Sequence, residues 1–265
     1  MPTPISVVDA FAARPFEGNP AAVCLAPSGS TESWMASVAA EMNLSETAFP
    51  VRRSDGDWDL RWFTPTIEVR LCGHATLATA HRLWECGLAP SGEAVRFHTR
   101  SGRLVCRRNP GTQRVEMDFP ARPALEVSAP AGLAEALGTG LAWCGRGEDD
   151  LLVEVADATT VRKLRPDLAA LAQLPVRGVI VTAASDSPEF DFVSRFFAPA
   201  AGVPEDPVTG SAHCTLAPYW ASRLGRSRMA GRQESRRGGT VGVELLGDRV
   251  VLSGSAVTVW TGEIL

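Results

Sequence analysis

Lysine is almost missing. Of 26 basic residues in 265, Lys163 is the single lysine and the other 25 are arginines. Enzymes that hold pyridoxal phosphate or a carbonyl substrate as a Schiff base need a lysine in the site. Lys163 stands in Val161-Arg162-Lys163-Leu164-Arg165, a stretch that reads as solvated, so that chemistry is disfavoured. Basic charge is not in surplus either: 26 basic against 30 acidic residues give a net charge of -4, a poor match for the phosphates of a nucleic acid. The six cysteines form no C-x-x-C pair, which removes both a zinc framework and a disulfide scaffold. The four histidines show no H-E-x-x-H spacing, and no metal is expected. Neither G-x-S-x-G nor a P-loop occurs, and Gly145-Arg146-Gly147 runs into acidic residues without completing a dinucleotide fingerprint. Nicotinamide binding is therefore not indicated. No apolar stretch approaches the roughly 18 residues of a membrane span, and Met1 to Asp9 lacks the pattern of a signal peptide. The expectation is a reduced, soluble, cytoplasmic protein with no membrane partner.

What is present is a repeat. Residues 61–65 read R-W-F-T-P and residues 195–199 read R-F-F-A-P, and each is followed by a Gly-led segment. These segments are Cys72-Gly73-His74-Ala75-Thr76 and Thr209-Gly210-Ser211-Ala212-His213, with Gly73 and Gly210 137 residues apart. Gly102 and Gly239, in Arg100-Ser101-Gly102 and Arg237-Gly238-Gly239, keep the same offset of 137. Two landmarks at one offset imply two related halves. They meet near 118–130, where Pro120, Pro123 and Pro130 interrupt the pattern.

The halves also share an expected secondary structure. Leu60–Phe63 and Phe192–Phe197 read as strands, and a helix follows each Gly: one with Leu77, Ala80 and Trp84 stopping at Gly87, the other with Leu216, Trp220 and Leu224 stopping at Gly225. Further strands are predicted over 103–107, 114–119, 241–246 and 249–252, an earlier helix over 31–42, and shorter helices near 131–138 and 166–174. The fold class is α+β, each half a sheet with a packed helix.

A helix starting at Gly73-His74 or Gly210-Ser211 exposes unpaired N–H groups at its positive end, a ready site for a carboxylate or phosphate. Either glycine alone reads more readily as a plain helix start, and it is the recurrence at a fixed offset that brings the anion-binding reading level with it. Glu46, in Asn43-Leu44-Ser45-Glu46-Thr47-Ala48-Phe49, sits at a helix-to-strand junction among small and apolar residues. It is a candidate for a raised pKa and proton transfer, or else a solvated junction glutamate. Asp206 is a catalytic candidate or a helix cap, and His74 a catalytic candidate or a capping or packing residue.

These blocks together resemble the PhzF-like (phenazine biosynthesis-like) family. The resemblance rests on Asp9-Ala10-Phe11, Phe16-Glu17-Gly18-Asn19-Pro20-Ala21-Ala22-Val23, Met42-Asn43-Leu44-Ser45-Glu46-Thr47, Leu71-Cys72-Gly73-His74-Ala75-Thr76 and Glu205-Asp206-Pro207-Val208-Thr209-Gly210-Ser211-Ala212. Arg236-Arg237-Gly238-Gly239 and Ser255-Ala256-Val257-Thr258-Val259 complete it in the family's order. It implies the diaminopimelate-epimerase fold: two pseudo-symmetric halves, each a sheet wrapped around a central helix, with a substrate cleft between them. The halves would be 1–118, completed by a last strand 258–265, and 119–257.

The resemblance further implies a cofactor-independent isomerase that moves a proton on a small carboxylate, and a homodimer. Glu46 matches the family's catalytic glutamate, and His74 and Asp206 match polar residues of its site. Gly73, Gly210 and Ser211 match the helix ends that hold the substrate. A departure limits the analogy with the epimerase itself, which uses one cysteine per half. Cys72 occupies the first such place, but Thr209 the second, and a threonine hydroxyl is a poor base at neutral pH. A thiol-dependent amino-acid epimerase is therefore the weaker alternative, and a small-carboxylate binding protein without catalysis is the other. This chain also has Cys72-Gly73-His74-Ala75 where the phenazine enzyme has Ala-Gly-His-Pro, so phenazine synthesis does not follow.

Overall fold

The computed structural model describes residues 2–265 and divides into two compact units. One ends at Asp118 and is joined by Ser253–Leu265, and the other is Phe119–Leu252.

In the first unit, β1 (Thr3–Ala10) and β2 (Asn19–Cys24) are antiparallel, and α1 (Glu32–Met42) crosses to β3 (Glu46–Arg52), which runs parallel to β2. Next, β4 (Trp58–Phe63) returns antiparallel to β3, and the short β5 (Glu68–Val69) precedes α2 (Gly73–Glu85). That helix crosses to β6 (Val95–Thr99), parallel to β4, and β7 (Gly102–Arg108) and β8 (Val115–Pro120) follow as antiparallel neighbours.

The second unit begins with β9 (Leu125–Glu126) and α3 (Leu133–Leu137) and then repeats the order of the first. Antiparallel β10 (Trp143–Arg146) and β11 (Asp150–Glu154) lead through α4 (Ala158–Lys163) and α5 (Leu168–Leu171) to parallel β12 (Gly178–Ala184). Then β13 (Phe192–Phe197) is antiparallel to β12, and α6 (Gly210–Leu224) crosses to parallel β14 (Arg228–Gln233). The strands β15 (Gly239–Leu246) and β16 (Arg249–Gly254) complete it. The last strand, β17 (Ala256–Ile264), lies antiparallel to β1 in the first unit.

The parallel pairs β2–β3, β4–β6, β11–β12 and β13–β14 are thus each bridged by helix, as a crossover requires. The central helices are buried nearly all round: in α2 residues 74–80, 83 and 84, in α6 residues 212–217 and 220. Such a helix takes small residues where the sheet closes on it. Helix α2 reads Gly-His-Ala-Thr-Leu-Ala-Thr-Ala, and its threonines bond back to their own helix, Thr76 Oγ1 to Cys72 O at 2.6 Å and Thr79 Oγ1 to Ala75 O at 2.7 Å. Outside the sheet, α1 packs Met35, Val38 and Ala39 on Phe49 and Phe63. In the second unit α3, α4 and α5 place Leu133, Leu137, Val161 and Leu171 against Val179, Val181 and Phe197. Lys163 is exposed. No helix among the described residues is long and apolar enough to cross a membrane.

Candidate functional site

Glu46 is the first residue of β3, level with Ala21 of β2. It follows a sharp exit from α1, whose cap Asn43 takes a left-handed backbone (φ 48°). His74 is the second residue of α2, and Cys72 is the N-cap, whose side chain makes no capping bond. His74 Nε2 lies 3.2 Å from Glu46 Oε2, and His74 Nδ1 lies 3.2 Å from Asn19 Nδ2 and 3.5 Å from Cys72 Sγ. Asn19, Cys72 and His74 are buried, while the Glu46 side chain keeps 19% exposure and is the reachable member.

Asn19 owes its place to a tight loop. Phe11, Phe16 and Gly18 all have positive φ, and the buried Asp9 accepts the Phe16 N–H at 2.7 Å. A side chain at Gly18 would put Cβ 2.1 Å from Ala10 O, so only glycine fits there. Burial pushes the His74 imidazole down to about 3, so it is neutral at physiological pH. Donor atoms of Glu46, Cys72 and His74 fall within 4.8 Å of one another, as do those of the more exposed Asp55, Asp57 and His98. In the first trio both imidazole nitrogens already face protein groups.

The second unit holds Asp206, Gly210 and Ser211 in a different network. Asp206 Oδ2 accepts the Thr209 hydroxyl at 2.6 Å. Buried Gln233 braces both: its Nε2 donates to Asp206 O at 2.7 Å, and its Oε1 accepts the Thr209 N–H at 2.9 Å. The N-cap of α6 is Thr209, so Asp206 is not the capping residue that one reading of the sequence offered. Ser211 Oγ accepts from Arg177 Nη2 at 3.1 Å, and Arg177 is in turn paired with buried Asp150. His213 Nδ1 donates to Thr209 O at 2.8 Å, and burial lowers that imidazole to about 4.

Gly73 and Gly210 open 13- and 15-residue helices whose N-cap side chains, Cys72 and Thr209, accept no capping bond. Each start is held by the same strut, which was not singled out in the sequence. Arg61 grips Glu68 with two bonds (2.7 and 2.6 Å), and Arg195 grips Glu205 the same way (2.6 and 3.0 Å). Each arginine also lies over a phenylalanine two residues on, Phe63 at 5.1 Å and Phe197 at 4.8 Å. A signal existed: Glu68 and Glu205 stand at the same offset of 137 and five residues before each glycine.

The two-unit fold, with a buried helix in each sheet, places the chain among the diaminopimelate-epimerase-like proteins. A hydroxyproline epimerase from Agrobacterium vitis shares it at a TM-score of 0.62 over 99% of this chain and 92% of that one, with 11% identity, a likeness of fold alone. A family model described as phenazine biosynthesis-like protein (PhzC-PhzF) matches residues 8–262, and the chain belongs to that family. A PhzF-family crystal structure from Enterococcus faecalis is 41% identical, with a TM-score of 0.94 and complete coverage of both chains. A relative from Halalkalibacterium halodurans, named an uncharacterized isomerase, is 48% identical over 100% of this chain and 99% of its own. The general function these relatives support is that of an isomerase.

Proposed function

We propose that the protein isomerises a small carboxylate by moving a proton between two carbons, with Glu46 as the acid/base and no cofactor. The observation that carries this is a partly accessible carboxylate at the mouth of an otherwise buried polar cluster, 3.2 Å from a neutral imidazole. The ionised carboxylate takes a proton from carbon, and the electron pair passes into a conjugated system on the substrate. The protonated Glu46 then returns the proton to a different carbon, so nothing is consumed and no redox partner is required. The carbon acid must be activated, which suits an electron-poor ring or an enone bearing a carboxylate.

The start of α2 at Gly73 and that of α6 at Gly210 each offer N–H groups of the kind that bind a carboxylate. Ser211 accepts from Arg177, which leaves its own hydroxyl proton for the substrate. Asp206, already bonded to the Thr209 hydroxyl and braced by Gln233, acts as a fixed polar wall that assists proton movement. Thr209 at the place matching Cys72 argues against a two-thiol epimerase.

The test is proton exchange in deuterium oxide, followed by NMR over a panel of unsaturated and amino carboxylates. Wild type should introduce deuterium or shift a double bond in at least one of them, and Glu46→Gln should lose this by 10²-fold or more, within the usual range for removing an acid/base of about 10²–10⁴. Full turnover by Glu46→Gln would refute the assignment. Saturable binding without exchange, in wild type as well, would favour the non-catalytic binding protein.

A further inference from the structure

We infer that Asn19 is a positioning residue that fixes the tautomer of His74, so that the imidazole presents Nε2–H, and not a bare nitrogen, to the Glu46 carboxylate. A neutral imidazole has one N–H and one lone pair, and which nitrogen carries which is set by the partners. At Nδ1 stand two groups that can donate: the Asn19 amide nitrogen at 3.2 Å and the Cys72 thiol at 3.5 Å. At Nε2 stands a carboxylate oxygen, 3.2 Å away, which can only accept when ionised. With the proton on Nδ1, an N–H would face donors and a lone pair would face a carboxylate. With the proton on Nε2, the amide and the thiol face a lone pair at Nδ1 and the carboxylate faces an N–H, while the Cys72 sulfur, 3.9 Å from Nε2, is there a weak acceptor. The ring is buried, so water is not at hand to repair the wrong choice.

Asn19 is held for this duty by sequence-distant pieces. It opens β2 at the end of the strained 11–18 loop, 55 residues from His74, and its side chain is fully buried. An amide suits the position because it donates without carrying charge. An aspartate of the same shape would accept from Nδ1–H, turn the proton to that side, and leave Nε2 bare toward Glu46. The inference rests on the proposed role of Glu46 for its meaning, but the tautomer itself does not.

The experiment is nitrogen-15 NMR of the full-length protein with labelled histidine, the His74 signals assigned by their loss in His74→Gln. Wild type at neutral pH should show a protonated Nε2 and an unprotonated Nδ1. Asn19→Asp should reverse the two, and Cys72→Ala, which leaves the amide in place, should not. A wild-type Nδ1–H tautomer would overturn the inference, whether or not Asn19→Asp folds. Reversal in Cys72→Ala, or none in a folded Asn19→Asp, would also overturn it, placing control with the thiol or elsewhere. These signals are read in the free protein, so loss of the Glu46 reading, through an active Glu46→Gln, would not alter them.

Discussion

The two units have one scaffold and two different interiors at its working end. The register makes the comparison residue by residue: Thr47 pairs with Phe63 in the first unit as Val179 pairs with Phe197 in the second. Glu46 therefore has Gly178 as its counterpart, and the offset of 137 matches Cys72 to Thr209 and His74 to Ser211. Where the first unit has an acid beside an imidazole, the second has an Arg177–Ser211 contact closed off by Asp150. Gly178 is forbidden a side chain, since a Cβ would lie 2.5 Å from Phe196 Cζ and 2.8 Å from Phe197 O. The loop before β2 spans residues 11–18, whereas the connection from β10 to β11 is only residues 147–149. A duplicated frame, in other words, keeps its struts and its helix starts while the carboxylate–imidazole pair of Glu46 and His74 is built in one copy.

Breaking this contrast at Glu46 should have the largest effect. Loss of 10²-fold or more in exchange rate on Glu46→Gln corresponds to about 3 kcal/mol or more of lost transition-state stabilisation. Thermal unfolding should hardly move, because an amide of the same shape stays in a partly open site. Gly178→Ala should do the reverse, destabilising by about 1–3 kcal/mol through overpacking. Activity per folded molecule would then report whether the second unit takes part in the reaction.

The struts come next, and they should not be equal. Arg195 is buried and also donates to Leu164 O at 2.9 Å and Val161 O at 3.3 Å, so Arg195→Met strands Glu205 and two carbonyls. A cost of about 3 kcal/mol in denaturant unfolding is expected, the low end for breaking a buried pair because Glu205 is not fully enclosed. Arg61→Met should cost only about 1 kcal/mol, since its partner Glu68 retains Arg100 at 2.6 Å. Equal costs would mean that Arg100 does not back up the first strut.

The frame was largely legible in the sequence, and the site only partly so. Helices α2 and α6 announced themselves through a starting glycine, helical spacing and a stopping glycine, and α1 through Met35, Val38, Ala39 and Met42 on one face, to which the structure adds the Thr31 hydroxyl capping Trp34 N at 3.2 Å. The short helix expected over 166–174 is only Leu168–Leu171, with Pro175 following soon after. The strands β2, β3, β11 and β12 were not singled out. Buried on both faces, they read as short apolar runs without alternation, which periodicity cannot separate from helix. Glu46 and His74 were made candidates by their motifs, and the structure adds that they are 3.2 Å apart. Asn19 lay inside a quoted block but gave no sign of its partner, because the contact with His74 exists only after folding.

Acid should separate the two units in another way. Burial holds His74 at about 3 and His213 at about 4, both below the ordinary 6.5 of an imidazole. A lowered folded pKa stabilises above the unfolded value, so the contribution is complete above pH 6.5 and is lost as pH falls toward 4 and then 3. Each imidazole should add a slope of about 1.4 kcal/mol per pH unit to unfolding below pH 6.5, on the order of 3 kcal/mol in all for His213. Denaturant unfolding at several pH values, with His74→Gln and His213→Gln, should show each variant flattening the slope by one proton. An unchanged slope in either variant would mean that its imidazole is not kept neutral by burial.

The smallest effect should come from Phe16, in the loop that only the first unit has. Phe16 is 76% exposed yet has a left-handed backbone, φ 71°, a conformation that costs a side-chain-bearing residue about 1–2 kcal/mol. Phe11, in the same loop at φ 58°, is buried beside Gly254, where its ring lies 2.3 Å from the position a Cβ would take. The same substitution should therefore have opposite signs at the two positions. Phe11→Gly loses a core ring and should destabilise by about 3 kcal/mol or more. Phe16→Gly loses little burial and relieves the strain, offset by the extra freedom of glycine in the unfolded chain, for a net gain of about 0.5 kcal/mol. A denaturant midpoint that rises for Phe16→Gly while exchange activity falls would show that the strained backbone is kept for what Phe16 does in the working site. If stability falls instead, Phe16 makes a contact that its exposure does not reveal, and the loop is ordinary structure.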